Sequence, residues 1–188
     1  GLFFQKFINQ NSFKEKINYS SEFKKIPKKN KKFRCGISWR STNKIFGNKK
    51  SIELEELKEF FLSNNIEFIN LQYTDEDFKI KNLERKMNRN IFLEHDVDCF
   101  DDIDGVASLI KSCDIVITVS NSNAHISGKL GVKTFLLLPF NDGKLWYWGM
   151  NTDTDIIWYP SIEPIRMNKE NDWNSCISKL NEKLENFL

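Results

Sequence analysis

From Phe33 onward, short apolar runs alternate with stretches in which apolar residues recur at helical spacing. That order marks βαβ units stacked into a parallel sheet. The first strand is read at 33–38 (FRCGIS), followed by a polar loop and a helix over 52–62 (IELEELKEFFL). Ser51 is a candidate cap for that helix, and Leu54, Leu57, Phe60 and Phe61 share one face. A second strand falls at 67–72 (EFINLQ), and a short third strand at 90–96 (NIFLEHD). The charged stretch between them, 75–90, has no firm assignment. Residues 101–113 (DDIDGVASLIKSC) predict a helix with Ile103, Val106, Ala107 and Ile110 facing inward. The run 114–119 (DIVITV) is the most strand-like in the chain. After it come a polar turn, a short helix closed by Gly131 and a fifth strand at 133–139 (KTFLLLP). An aromatic loop at 140–149, the segment 155–160 (DIIWYP) and a helix from about 172, with Trp173, Ile177, Leu180 and Leu184 on one stripe, complete the pattern.

The expected architecture is α/β: a Rossmann-like three-layer αβα sandwich with a mainly parallel sheet over 31–188. Residues 1–30, with Phe3, Phe4, Phe7, Ile8 and Phe13, are read as an amino-terminal helical or linker segment. The chain's 188 residues, 40% hydrophobic and 29% charged, suit one ordinary domain with a full core. No apolar run approaches the roughly 18 to 20 residues of a membrane span, and the first residues lack a signal-peptide pattern, so no integral membrane segment and a cytoplasmic location are expected. Cys35, Cys99, Cys113 and Cys176 are scattered, without the pairing of a zinc site or a disulfide framework. The first 50 residues carry 14 of the 28 Lys and Arg against Glu15 and Glu22. Phosphate contacts to nucleic acid through KKIPKKNKK are one use of such a run. A solvated linker is the preferred one, so no nucleic-acid partner is expected.

In an open parallel sheet, ligands bind where loops and helix amino ends meet the carboxyl ends of strands. Two loops qualify. In the turn after 114–119, Ser120, Asn121, Ser122, Asn123, Ala124 and His125 stop a strand and open a helix. Backbone N–H groups from Ser122 to His125 would form an anion site there, with the imidazole as a further donor. The alternative is that Ser120 and Asn121 merely cap the helix and His125 is a satisfied histidine. The second loop (SWRSTNK) supplies Ser41, Thr42 and Asn43 as donors, with Arg40, Lys44, Lys49 and Lys50 as cations. It has neither the Walker spacing nor a G-x-G-x-x-G fingerprint, and an ordinary polar crossover is its alternative. Among Asp96, Asp98, Asp101, Asp102 and Asp104 the spacing fits no calcium loop and no metal is expected. One carboxylate, with Asp104 the candidate, could accept hydrogen bonds from a ribose. Trp146, Tyr147 and Trp148 could stack on a sugar or base, or simply pack.

The stretch DIDGVASLIKSCDIVITVSNSNAHISGKLGVKTFLLLP, with CGISWRSTN, KSIELEELKEFF, FINLQ and WYPSIEPIR, resembles the carboxy-terminal domain of GT-B glycosyltransferases. It is most similar to the heptosyltransferase-like family and to related transferase domains that follow tetratricopeptide repeats. The pieces cover most of 33–166 in the expected order. The resemblance implies a nucleotide-diphosphate-sugar donor, with Ser41, Thr42 and Lys50 near the diphosphate and the turn from Ser120 to His125 facing phosphate or sugar. It implies no metal and no further cofactor. In those families an Asp commonly stands at the position of Ser120 and a Thr at that of Asn121, a departure that bears on donor identity and catalysis. GT-B enzymes work in a cleft between two such domains, so the expected partner is an amino-terminal domain of the same protein carrying the acceptor site and the general base. The acceptor is open among saccharide, lipid-linked glycan and protein. These residues alone are not expected to form a complete transferase. A non-catalytic, transferase-like binding or interaction module is the alternative function.

Overall fold

A computed structural model of the protein describes residues 32–141, 143, 145–149 and 158–185. The expectations for 1–30 and for the first part of 155–160 lie outside the described residues. Six strands form one sheet: β1 (Phe33–Ser38), β2 (Ile66–Asn70), β3 (Phe92–Leu93), β4 (Ile115–Val119), β5 (Lys133–Leu138) and β6 (Ile162–Arg166). Their order is β3-β2-β1-β4-β5-β6 and every pairing is parallel. The helices are α1 (Asp77–Met87), α2 (Ile103–Lys111), α3 (Ser122–Lys129) and α4 (Trp173–Glu185). The fold is thus an α/β Rossmann-like sandwich.

The central strands are mostly apolar on both sides because both of their faces are covered. Cys35, Ile37, Ile115, Ile117, Phe135 and Leu137 point to one face, where they pack with Leu83 of α1, Leu54, Leu57 and Phe61, and with Trp173, Cys176 and Leu180 of α4. The alternate positions point the other way. Ile69 and Val116 meet Leu109 and Ile110 of α2, while Leu136 and Leu138 meet Ala124 of α3 and Trp148.

Three departures from the expected elements have physical causes. The segment 52–62 is not an α-helix but two consecutive 3-10 turns, Leu54–Leu57 and Phe60–Leu62. Leu54, Leu57 and Phe60 are spaced by three, and a 3-10 helix stacks such positions along one edge, so all three reach the core. Its cap is Glu53, in a reciprocal box with Glu56, whereas Ser51 serves the loop before it. Second, α1 forms within the stretch that had no firm assignment; it buries Leu83 and ends on Asn88 in the left-handed region. Third, the edge strand β6 contains Pro164, a residue that argues against a strand in sequence. At the sheet edge the lost N–H costs no ladder partner.

Candidate functional site

The chain runs outward from β1 to β2 to β3, then crosses back to place β4 beside β1. The carboxyl ends of β1 and β4 therefore form the topological switch point, where two loops diverge and leave a crevice. The pairing of Ser38 with Thr118 sets its floor. Their hydroxyls lie 2.6 Å apart, and both are buried. Asn121, just beyond β4, joins the two loops. Its amide nitrogen donates to Ser38 Oγ and to the Arg40 carbonyl, each at 3.1 Å. Its oxygen accepts from Thr118 Oγ1 and from the Asn123 N–H, each at 3.0 Å, so it is also the amino cap of α3.

The loop after β1 is pinned just as closely. Gln72 Oε1 accepts from the N–H groups of both Trp39 and Arg40, and Ser51 Oγ accepts from the Ser41 N–H. Asn43 Oδ1 accepts from Ile45 and Phe46 N–H, the local turn that asparagine favours. The loop then returns Lys50 to the crevice. Its side chain is 4% exposed, and its ammonium donates to the Ser120 carbonyl at 3.0 Å. Burial holds its pKa below the ordinary lysine value. Gly143, at φ 84°, lets the loop after β5 cross the Lys50 stem; a Cβ there would stand 2.7 Å from Lys50 Cγ.

His125 sits in the first turn of α3 within an aromatic cage. Its ring stacks on Trp148 at 4.6 Å and 27°, and Tyr147 lies at 5.3 Å. Its Nδ1 is 3.2 Å from the Tyr159 hydroxyl. Burial and then the nearby Lys50 charge hold its pKa below the ordinary imidazole value. Tyr159 can reach it because α3 carries Gly128 where its ring packs; a Cβ on that glycine would be 2.5 Å from Tyr159 Cγ.

These groups line one open cleft of about 370 Å³, bounded by Ser41, Thr42, Asn43, Lys50 and Tyr73 on one side and Ser120, Asn121, Ser122, His125 and Tyr147 on the other. Both sequence-derived loops therefore meet across a single space. Within it the Asn123 N–H is used by the cap, which leaves those of Ser122 and Ala124 without an acceptor inside the helix. Four expected residues do not line the cleft. Arg40 turns outward to Glu76, at 3.2 Å, and Glu53. Asn123 donates to the Leu71 carbonyl at 2.6 Å, and Ala124 is buried in the apolar cluster under α3. Asp104 is exposed in the first turn of α2, away from the lining residues. Ser120 is reached by the cleft, yet its side chain is 98% buried by geometry that serves packing: Trp148 Nε1 donates to its Oγ at 2.9 Å. Tyr73 and Tyr159 escaped the sequence reading. Tyr73 follows β2 by a few residues at the carboxyl edge, which is the cue that could have found it.

Among the described residues, no three His, Cys, Asp or Glu side chains converge as metal ligands, and no helix is long and apolar enough to cross a membrane. No family model matches the chain. The chain is similar to Protein FlbA of Caulobacter vibrioides, 26% identical over 120 residues, which are 64% of this chain and 19% of that protein's length.

Proposed function

We propose that this chain is the donor-binding domain of a metal-independent glycosyltransferase that uses a nucleotide-diphosphate sugar. The single observation that carries this reading is the convergence of Lys50, Ser41, Thr42, His125 and the amino end of α3 on one cleft at the switch point of the sheet. A diphosphate in that cleft would accept from hydroxyls, from a buried ammonium and from backbone N–H groups at the positive end of a helix. Among the described residues, those lining the cleft include no carboxylate to repel it. Tyr73 and Tyr147 offer flat apolar walls of the kind a base or sugar ring stacks on. In the reaction, the bond from the anomeric carbon to the leaving phosphate breaks and negative charge grows on the diphosphate. The same cations and N–H groups would stabilise that charge without metal. The acceptor and the general base would come from a second domain.

Isothermal titration with UDP, GDP, ADP and CDP tests the reading. One of them should bind at micromolar to sub-millimolar concentration, and Thr42→Ala, Lys50→Met and His125→Ala should each weaken it about tenfold or more, the scale of one lost charge-assisted hydrogen bond. Absence of binding by all four at millimolar concentration would refute it.

One observation favours a second reading, a binding module without chemistry. At Ser120, where the transferase family that the sequence resembles commonly carries an aspartate, the side chain is tied to Trp148 and the carbonyl to Lys50. A site of that kind would hold a nucleotide without turning it over. Assaying donor hydrolysis by the full-length protein separates the two readings: turnover supports the first, and nucleotide binding without turnover supports the second.

A further inference from the structure

The surroundings of His125 are contradictory for a neutral ring. The Tyr159 hydroxyl at 3.2 Å can donate to Nδ1 or accept from it, so that contact survives whether or not the ring is charged. The Trp148 face stacked at 4.6 Å favours a cation. Against these stand partial burial and the Lys50 ammonium, which donates to the Ser120 carbonyl and not to a carboxylate. Among the described residues, the titratable groups set against the ring are Lys50 from the loop after β1, Tyr147 from the loop after β5 and Tyr159 ahead of β6. None of them is acidic at neutral pH. Among the described residues, the site therefore holds two basic groups, Lys50 and His125, with no negative charge between them.

We infer that an oxyanion entering this cleft brings a proton with it, taken up by His125, so that ligand binding and imidazole protonation are one linked event. The inference rests on the cleft being an anion site and concerns how that site is regulated. Before binding, Lys50 repels a proton from His125; with a di- or trianionic group between them, the repulsion is replaced by attraction. Nδ1–H then donates to Tyr159, and Nε2–H becomes available as a charged donor. The sign follows from linkage. A ring whose proton affinity rises on binding gives tighter binding as pH falls from the midpoint of the complex to the midpoint of the free protein, and no further gain below it. Each unit by which the midpoint rises is tenfold in affinity.

The chain has two histidines, His95 and His125, so the imidazole Cε1–H resonances can be followed individually, with His125→Gln giving the assignment. They are titrated between about pH 5 and 8, without ligand and with a saturating amount of whichever of UDP, GDP, ADP or CDP binds tightest. In the free protein His125 should titrate below the ordinary value. With nucleotide its midpoint should rise by about one unit or more. In His125→Gln the excess pH dependence of affinity, beyond that of the nucleotide itself, should vanish. Binding that leaves the His125 midpoint where it was, or lowers it, overturns this inference and spares the anion site. Failure of all four nucleotides to perturb any resonance overturns both.

Discussion

Replacing Asn121 should do more damage than replacing an ordinary helix cap, and two variants show why. Its side chain is 8% exposed and makes four hydrogen bonds, two as acceptor and two as donor. Asn121→Ala removes the cap on α3, worth about 1 kcal/mol. It also leaves the Arg40 carbonyl without its amide donor, at a cost of about 1 to 3 kcal/mol. Ser38 and Thr118 keep each other, and Thr118 keeps the Val119 carbonyl, so they add little. The total is about 3 kcal/mol, or a fall in Tm of about 10 °C for a domain of this size. Asn121→Asp is the sharper probe. Aspartate caps helices as well as asparagine does, so a residue that only capped would tolerate the change. Here a carboxylate oxygen would replace the amide nitrogen, 3.1 Å from both the Arg40 carbonyl and Ser38 Oγ. The variant should lose nearly as much as Asn121→Ala at pH 7 and recover part of it as pH falls toward the carboxyl range, where a protonated group can donate again. Urea unfolding followed by tryptophan fluorescence reads the midpoint, and the slope should stay constant. An Asn121→Asp protein as stable as the parent at pH 7 would refute the view that this residue clamps the two loops together.

Three other perturbations test separate parts of the structure. Gly143→Ala forces a side chain into φ 84° and against the Lys50 stem; it should cost about 1 to 2 kcal/mol and weaken nucleotide binding together with stability, and unchanged affinity would disprove the contact. For Glu163, burial alone would raise its pKa, but Lys133, at 2.5 Å, and Lys183 hold it below the usual carboxylate value. Stability from a depressed carboxylate is present above the unfolded value and is lost as pH falls through the folded one. Glu163→Gln should therefore flatten the acid limb below about pH 4.5 by up to about 1 kcal/mol, and an identical limb in melts from pH 6 to 2 would contradict the pairing. Burial, with smaller contributions from Asp98 and Asp102, pushes the Cys99 thiol up to about 11, and burial pushes that of Cys176 up to about 12. At pH 8 the native chain should react with a disulfide reagent far more slowly than the guanidinium-unfolded chain, and rapid stoichiometric labelling of the native form would refute the burial.

Ser120 has a structural role of its own. A serine there accepts the indole N–H of Trp148, which in turn holds the His125 ring by stacking. Its carbonyl accepts from the Lys50 ammonium, so this one residue ties the aromatic loop to the loop after β1.

Much of the architecture was legible because the central strands obey one dominant force. Both faces of β1, β4 and β5 are covered, so each is rich in buried apolar residues, and such runs stand out in any reading of the chain. Polar residues after β4 and a glycine eight residues further on marked α3 and its closure at Gly131, φ 69°. The loops that converge on the cleft could be named for the same reason: in a parallel sheet the carboxyl ends of strands lie on one side. Sequence could not decide which residues of those loops face inward. Arg40 and Lys50 are both cations in one loop, but Glu76, distant in sequence and brought near by β2, draws Arg40 away from the cleft, whereas the Ser120 carbonyl draws Lys50 in. The 3-10 form of 54–62, the strand carrying Pro164 and the contact of Tyr159 with His125 share that character. Each depends on a partner distant in sequence, and local propensity carries no information about a partner that only the folded chain brings into reach.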